Sequence, residues 1–345
     1  MTYPRRVAIV GAGMAGVTCA RTLAQAGHDV ALFEKGNSVS GRMATRESPF
    51  GTFDHGAQYF TVRDARFARA LETVPGLCKP WSANTVRVLD EHGRVAAASL
   101  PAKDSHWVPR PAMSALVSRW AQPLSEQIHL QTRVTRIERD PMNHQRWQLR
   151  TEGAGDTQQV FCGFDLVLLA TPAPQAHDLL LSCGVAAEIS QSMKSVKMAP
   201  CWTLMLAFPN AMQPGMSSLG PQWNAARSTH HRMAWLARES SKPGRKSIER
   251  WTVQASASWS QEHLEDDDAR VEAKLLKAFA EVTGIRAQPA FTEARLWRQA
   301  QTMVPLGDAF VWDAARGVGL CGDWCIGHRV EDAFLSGLEL ALRVA

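Results

Sequence analysis

Tyrosine is almost missing from this chain: it has two, against twelve tryptophans, in 345 residues. Long apolar runs are missing too. None approaches the ~20 residues that a membrane-spanning helix requires, so no such helix is expected. No basic-then-apolar leader precedes Val7, which already belongs to the first predicted strand. Lysines and arginines are scattered among acids, and the net charge is only +5, which argues against a nucleic-acid footprint. The seven cysteines (Cys19, Cys78, Cys162, Cys183, Cys201, Cys321 and Cys325) are odd in number and scattered, so they make no disulfide framework. Cys321 and Cys325 lack the CxxC spacing of a redox or zinc site. His230, His231 and His263 have no partners at metal spacing, and no metal is expected. Internal repeats and low-complexity tracts are absent. Buried thiols in a reducing, cytoplasmic setting follow as the expectation.

What is present fits a soluble chain of two domains, with 45% apolar and 21% charged residues. The tryptophans suit a core, and some of them a pocket for a flat ligand. Arg6–Val10 reads as a buried strand, Met14–Ala26 as a helix, and Asp29–Phe33 as a second strand ending at Glu34. That is the opening βαβ of a dinucleotide fold. Hairpins are predicted at Thr85–Leu89 with Arg94–Ala98, and at Trp147–Thr151 with Gln158–Phe161. Met113–Gln122 reads as a helix, Ile128–Ile137 as one strand, and the apolar Leu166–Ala170 as a central parallel strand. From about Met198 to Ser258 long alternating strands take over, including Thr203–Phe208, Arg232–Leu236 and Trp251–Ser256. An amphipathic helix follows, with Val271, Leu275, Phe279 and Val282 on one face, acids at its start and Gly284 to stop it. The predicted class is α/β. A Rossmann-like cofactor domain takes residues 1–75, 106–185 and 296–345. An inserted substrate domain of antiparallel sheet with helices takes residues 76–105 and 186–295.

The chemistry starts at Gly11-Ala12-Gly13-Met14-Ala15-Gly16. Gly11 permits the tight turn, Gly13 the approach of phosphate, and Gly16 the close packing of helix on strand. The helix start then offers free amides and a positive dipole end to a pyrophosphate. Glu34 stands at the interval expected for a ribose-binding acid, with Lys35 beside it, and an acid there argues against NADP in this slot. Three later features favour FAD. Ser40-Gly41-Arg42-Met43 sets a guanidinium beyond the second strand. Leu166–Ala170 runs into Thr171-Pro172-Ala173-Pro174. Gly322-Asp323 near the end supplies a carboxylate ahead of another helix start at Arg329-Val330-Glu331.

Together these motifs resemble the glutathione-reductase-like flavoproteins that include the amine oxidases. Within them the chain is most similar to the bacterial renalases. The likeness rests on Asp54 with Gly56-Ala57-Gln58-Tyr59-Phe60-Thr61, and on Trp235-Leu236-Ala237-Arg238 with Ser241-Lys242-Pro243. It also rests on Ala255-Ser256 with Trp259-Ser260, and on Cys321-Gly322-Asp323-Trp324-Cys325. The resemblance implies non-covalent FAD with its isoalloxazine between two domains. It implies FAD contacts from Ala12, Arg42, Gln58 and Tyr59, and a backbone contact from Val134. Asp323 would bind the ribityl–phosphate region, and the helix at Arg329 and Val330 would point at flavin N1 and O2.

The implied reaction is oxidation of 1,2- and 1,6-dihydro isomers of NAD(P)H to NAD(P)⁺, with O2 reduced to H2O2. Such a substrate carries its own driving force, so the site needs mainly position and electrostatics. Monoamine and polyamine oxidases carry a lysine where this chain has Thr203, which weakens ordinary amine oxidation. Trp297, Trp324, Tyr59 and Gln254 are the candidate catalytic residues. Gln254 stands where relatives often have histidine, and Gln299 where histidine or tyrosine is common. Arg238, Lys242 and Arg245 are read either as receivers of a substrate pyrophosphate or as a solvated loop. An amine or desaturase-type oxidase, and a flavin-binding protein without turnover, remain open as alternatives. The oligomeric state is left open.

Overall fold

The structure, a computed structural model, describes residues 3–81, 87–97, 104–155, 157–182, 187–212, 220–221 and 223–345. The chain forms two compact units, each assembled from separate stretches. The first comprises Met1–Arg42, Val117–Met198 and Thr302–Ala345; the second comprises Met43–Leu116 and Ala199–Gln301. Residues 43–75 and 106–116, given to the cofactor domain from sequence, therefore lie in the second unit. The reason is polar. The hairpin Thr45–Ser48 with Gly51–Asp54 carries a carboxylate that is met by cations of the 239–245 segment.

The first unit is built on a six-stranded sheet. Its order is Val311–Asp313, Val318–Leu320, Leu166–Leu169, Arg6–Val10, Asp29–Phe33, Ile128–His129. All pairs are parallel except the outermost, Val311–Asp313 on Val318–Leu320. Val7 lies between Leu166 and Val30, and Leu168 beside Gly319. The central strands read Val-Ala-Ile-Val and Leu-Val-Leu-Leu because both faces are covered and every side chain is buried. A three-stranded antiparallel sheet (Arg133–Asp140, Asn143–Glu152, Gln158–Phe164) adds Ile137, Trp147, Leu149 and Phe164 to the same core.

The single strand expected over Ile128–Ile137 is two strands in two sheets. Gln131 takes φ 51°, and its N–H donates to Gly36 O, which turns the chain from one sheet to the other. The helix read as Met14–Ala26 is Met14–Gln25, and the one read as Met113–Gln122 is Ser114–Ala121.

The second unit carries a seven-stranded sheet. Its order is Phe291–Val304, Lys197–Phe208, Glu249–Ala255, Met233–Arg238, Ala225–Ser228, Arg87–Leu89, Val95–Ala97. One pair, Ala225–Ser228 on Arg87–Leu89, is parallel, and the other registered pairs are antiparallel. The predicted hairpin is present, though Thr85, Val86 and Ala98 lie outside the described residues. Helix Asp268–Thr283 covers one face of the sheet, burying Val271, Leu275, Phe279 and Val282 against Leu204, Leu206, Leu236, Trp251 and Val253. Asp267 Oδ1 accepts from Arg270 N at 2.9 Å as the N-cap, and Gly284 ends the helix in the left-handed region at φ 73°. The acidic run here is thus a helix start. Helix Ala65–Glu72 and the long strand Phe291–Val304 escape the sequence reading.

Within the first unit, helices Met14–Gln25 and Val330–Val344 touch at bare backbone. A Cβ on Gly337 would collide with the carbonyl of Ala15. Glycine inside a helix ordinarily costs about 1 kcal/mol relative to alanine. Here the sign reverses: Gly337→Ala is expected to destabilise the protein by roughly 1–3 kcal/mol, as overpacking does. Chemical denaturation measures this, and a stabilised variant would show that the helices are not in contact there.

Candidate active site

Each unit carries its own set of candidate residues. In the first unit the opening strand ends in the glycine loop. Gly11 has φ 103°, and a Cβ on Gly16 would overlap the carbonyl oxygen of Gly11, so the helix starts hard against the strand. Gly13 caps the helix without a side chain, and no acid occupies the first turn. Its first amides are therefore left for an anion. Glu34 Oε2 accepts from Ala12 N at 2.9 Å and Oε1 from Gly36 N at 2.7 Å, holding the carboxylate beside the glycine loop. Lys35 is exposed, with Nζ 3.4 Å from Gln175 Oε1.

Arg42, 281 residues before Asp323, forms a two-pronged ion pair with it. Nη1 donates to Oδ2 at 2.9 Å, and Nη2 to Oδ1. Thr302 Oγ1 lies 3.4 Å from Asp323 Oδ2, and Gly322 N donates to Ser336 Oγ at 2.9 Å. Helix Val330–Val344 opens at Arg329, and Asp332 Oδ2 accepts from the backbone N–H of both His328 and Arg329.

One sequence-predicted residue of this unit takes another part. Trp324 is fully buried in the core, its indole N–H donating to Thr171 O at 3.0 Å. It packs the unit and presents nothing to a substrate. Val134 is also a core side chain, beside a bulge in its strand.

In the second unit, one face of the seven-stranded sheet is apolar and covered by the helix. Its other face carries Thr203, Gln254 and Trp235 as a row of neighbours, because Thr203 pairs with Gln254 and Gln254 with Trp235. Over this face runs the Asp54–Phe60 loop. Gln254 Nε2 donates to Gly56 O at 2.7 Å, and Trp297 Nε1 to His55 O at 2.9 Å. The Trp297 ring stacks on His55 at 5.0 Å. Tyr59 lies 3.9 Å from His106, 5.7 Å from Trp235 and 6.5 Å from Trp81, ring centre to ring centre. Three of the four predicted catalytic residues (Trp297, Tyr59 and Gln254) are thus brought to one loop, and Trp324 is not. His106, Trp81 and Trp235 are the neighbours that sequence reasoning passed over as roles. The sole hint was the excess of tryptophan.

Two imidazoles stand on this face, near the charges of Arg295 and of Arg227, the cross-strand partner of Trp235. Burial, and then the Arg295 charge, bring His55 down to about 4. Burial, and then Arg227, also lower His106. Both imidazoles are neutral at pH 7. Burial pushes Cys201, beside Thr203, up to about 11, and Cys78 up to about 12. A hydrogen bond with Cys19, and then burial, raise Cys321, and burial raises Cys325.

Under the loop sits a sealed ionic cluster. Lys242 Nζ donates to Glu239 Oε1 at 2.9 Å, Asp54 Oδ2 at 3.1 Å and Gln58 Oε1 at 3.1 Å. Arg245 Nη2 meets Asp54 Oδ2 at 2.6 Å, and all four charged side chains are wholly buried. Burial alone would raise the Asp54 carboxyl, but Lys242 and Arg245 hold it well below the usual range. Lys242 and Arg245 are therefore neither phosphate receivers nor solvated. Arg238 is likewise engaged, with Glu249 at 3.3 Å and over the Trp251 ring at 4.8 Å. Gln58, expected against FAD, spends its amide internally, with Nε2 donating to Asp54 O and Gly56 O and Oε1 accepting from Lys242.

The first unit fits FAD on its own geometry. It has an uncapped helix start, a ribose-type acid beside the glycine loop, and an Arg42–Asp323 pair that offers charge of both signs. Asp323→Ala is expected to lower the FAD content of the purified protein at least several-fold, since it removes an acceptor and frees Arg42. The flavin absorbance per protein measures it, and an unchanged ratio would remove Asp323 from the cofactor site.

Comparison with known proteins agrees with this geometry. A model of NAD(P)-binding Rossmann-like domains matches residues 9–72. The 4,4'-diapophytoene desaturases (4,4'-diaponeurosporene-forming) of Staphylococcus aureus strains Newman and USA300 are each 43% identical over 59 residues. That stretch is 17% of this chain and only 12% of the desaturases' length. Among solved structures, a provisionally named protoporphyrinogen oxidase from Exiguobacterium sp. 255-15 superposes with TM-score 0.76 at 14% identity, covering 100% of this chain and 99% of its own. A redesigned triple mutant of putrescine oxidase gives TM-score 0.71 at 12% identity over 99% and 98%. Identities this low establish the fold alone. A model described as flavin containing amine oxidoreductase matches residues 97–345, most of the chain. The chain belongs to that family of FAD-dependent oxidoreductases, and its cofactor is FAD.

Proposed function

We propose that the protein is a renalase-like oxidase that takes 1,2- and 1,6-dihydro isomers of NAD(P)H to NAD(P)⁺. The observation that carries this reading is the ring-lined face of the second unit, whose two imidazoles are neutral. Thr203, Gln254 and Trp235 make its row, and Tyr59 and a neutral His106 stand beside it. The two carboxylates nearest the loop, Asp54 and Glu239, are neutralised internally by Lys242 and Arg245, so they are not offered to an ammonium substrate. Flat rings and an amide suit a neutral dihydronicotinamide, whose oxidation needs no strong base.

FAD, held by the glycine loop, Glu34, Arg42 and Asp323, would supply the hydride acceptor and the route by which the electron pair and protons reach O2 as H2O2. The protein's own residues orient and exclude. Trp297 and Gln254 fix the carbonyls of His55 and Gly56, which sets the loop. Tyr59 offers a ring face, and the surrounding indoles keep water out. Trp297, Tyr59 and Gln254 are proposed as the working residues of this face. Glu34, Lys35, Arg42, Asp323 and the glycine loop are proposed as the cofactor's. An amine or desaturase-type oxidation keeps the support of the family match, while Thr203 at the lysine position counts against the amine version. The cytoplasm is the proposed compartment, on the odd number and scatter of the cysteines.

Anaerobic mixing with a partly reduced NAD⁺ preparation containing every dihydro isomer tests the reading. The flavin is expected to be bleached by the 1,2- and 1,6-dihydro components within the mixing experiment. Bleaching by an amine instead, or by no candidate, would replace the proposal with the amine oxidase or the non-catalytic flavoprotein. In the same apparatus Trp297→Ala should keep its FAD and be reduced about 10-fold more slowly or worse, because a misplaced loop loses orientation. An equal rate would leave Trp297 a packing residue.

A further inference from the structure

The buried cluster under the Asp54–Phe60 loop has the make-up of a receptor for a primary ammonium group. Three N–H donors of Lys242 meet three oxygens at 2.9–3.1 Å: one from each of two carboxylates and one from an amide. The Trp81 ring lies 5.4 Å from the same nitrogen, at cation–π range. Nothing else is needed to hold R–NH3⁺, and here the R group is the protein's own side chain.

The oxygens come from separate stretches. Asp54 and Gln58 lie on the loop, and Glu239 lies on the segment that carries Lys242 itself. Glu239 Oε1 also accepts from Thr252 Oγ1 at 2.7 Å, while its Oε2 is buried with no partner. Burial raises the Glu239 carboxyl against the pull of Lys242. The second cation, Arg245, grips Asp54 Oδ2 and donates to Pro109 O at 3.0 Å. Asp54 Oδ1 accepts from Met113 N and Thr45 Oγ1. Asp54 thus ties the loop to Met113 directly and to Pro109 through Arg245, alongside the bridge of Phe60 with Trp107.

We propose that Asp54, Gln58, Glu239 and Trp81 form a primary-ammonium site that Lys242 fills from within, and that Lys242 is thereby a positioning residue for Gln58 and Tyr59. The lysine turns the amide of Gln58 inward, and the next residue, Tyr59, is left facing His106, Trp81 and Trp235. An empty site would leave the buried Glu239 without its ion-pair partner, Asp54 with Arg245 alone, and Gln58 Oε1 without its donor. The role stands whether or not a dihydronicotinamide is the substrate.

Chemical rescue of the FAD-loaded protein tests it. Lys242→Ala removes three methylenes and the ammonium, which is n-propylammonium in outline. The variant is expected to unfold at a temperature roughly 5 °C or more below the parent. Amide hydrogen exchange should accelerate in residues 54–60. Millimolar n-propylammonium should restore both in a saturable way. Tetramethylammonium, which has charge but no N–H, and 1-propanol, which has the chain but no charge, should not. Parent-like exchange in 54–60, or equal effects of all three additives, would overturn the proposal. Should Lys242→Ala not fold, Lys242→Met combined with Glu239→Gln removes one charge of each sign and keeps the volume. Faster exchange confined to 54–60 and 107–113 then supports the tether, and unaltered exchange refutes it.

Discussion

A carboxylate that cannot reach water organises the second unit. Asp54 lies at 0% exposure, and ionised in that place it must be met from every side. Lys242, Arg245, the Met113 amide and the Thr45 hydroxyl meet it. Lys242 and Arg245 share one segment, and Met113 and Thr45 lie on two others, so satisfying one charge fixes three segments at once. The hairpin that delivers Asp54 belongs with the second unit for this reason, though its sequence stands close to the cofactor motifs. The same demand seals Gln58, because Lys242 has a third donor to place and the amide oxygen takes it. Removing either partner alone would strand a buried charge, so the members stand or fall together.

Much of the fold was legible because it is written in short-range pattern. The opening strand, the helix and the second strand follow from one apolar run, a glycine loop and a second run ending at Glu34. Asp267 and Gly284 bracket the amphipathic helix by capping chemistry alone. Boundaries failed where tertiary geometry decides. Gln131 at positive φ splits what alternation reads as one strand, and no residue type at that position announces it. Strand Phe291–Val304 is a mixture of half-buried and exposed residues, with no clean period for the eye to catch.

The site was legible in parts. Arg42 and Asp323 were found from separate motifs, and the structure pairs them directly. Tyr59, Gln254 and Trp297 were named from resemblance, and they gather on one loop. Trp324 was misplaced because a tryptophan in a flavin motif looks the same whether its ring faces a ligand or a core. Its burial and its bond to Thr171 O belong to the fold and not to the local sequence. Lys242 and Arg245 misled for the matching reason. Basic residues in a Ser/Pro/Gly-rich segment read as surface, and it is the distant Asp54, with Glu239 beside Lys242, that takes them inside. Charge pattern along a chain carries no information about a partner 188 residues away.

The state of the thiols has a bearing on the by-product of an oxidase. Peroxide attacks the thiolate and leaves the protonated thiol nearly untouched. Cys78 and Cys201 are pushed up to about 12 and 11, and Cys321 and Cys325 are raised as well. At neutral pH these four sulfurs are almost wholly in the inert form. Under the proposed oxidase reaction they stand in the state that peroxide oxidises most slowly.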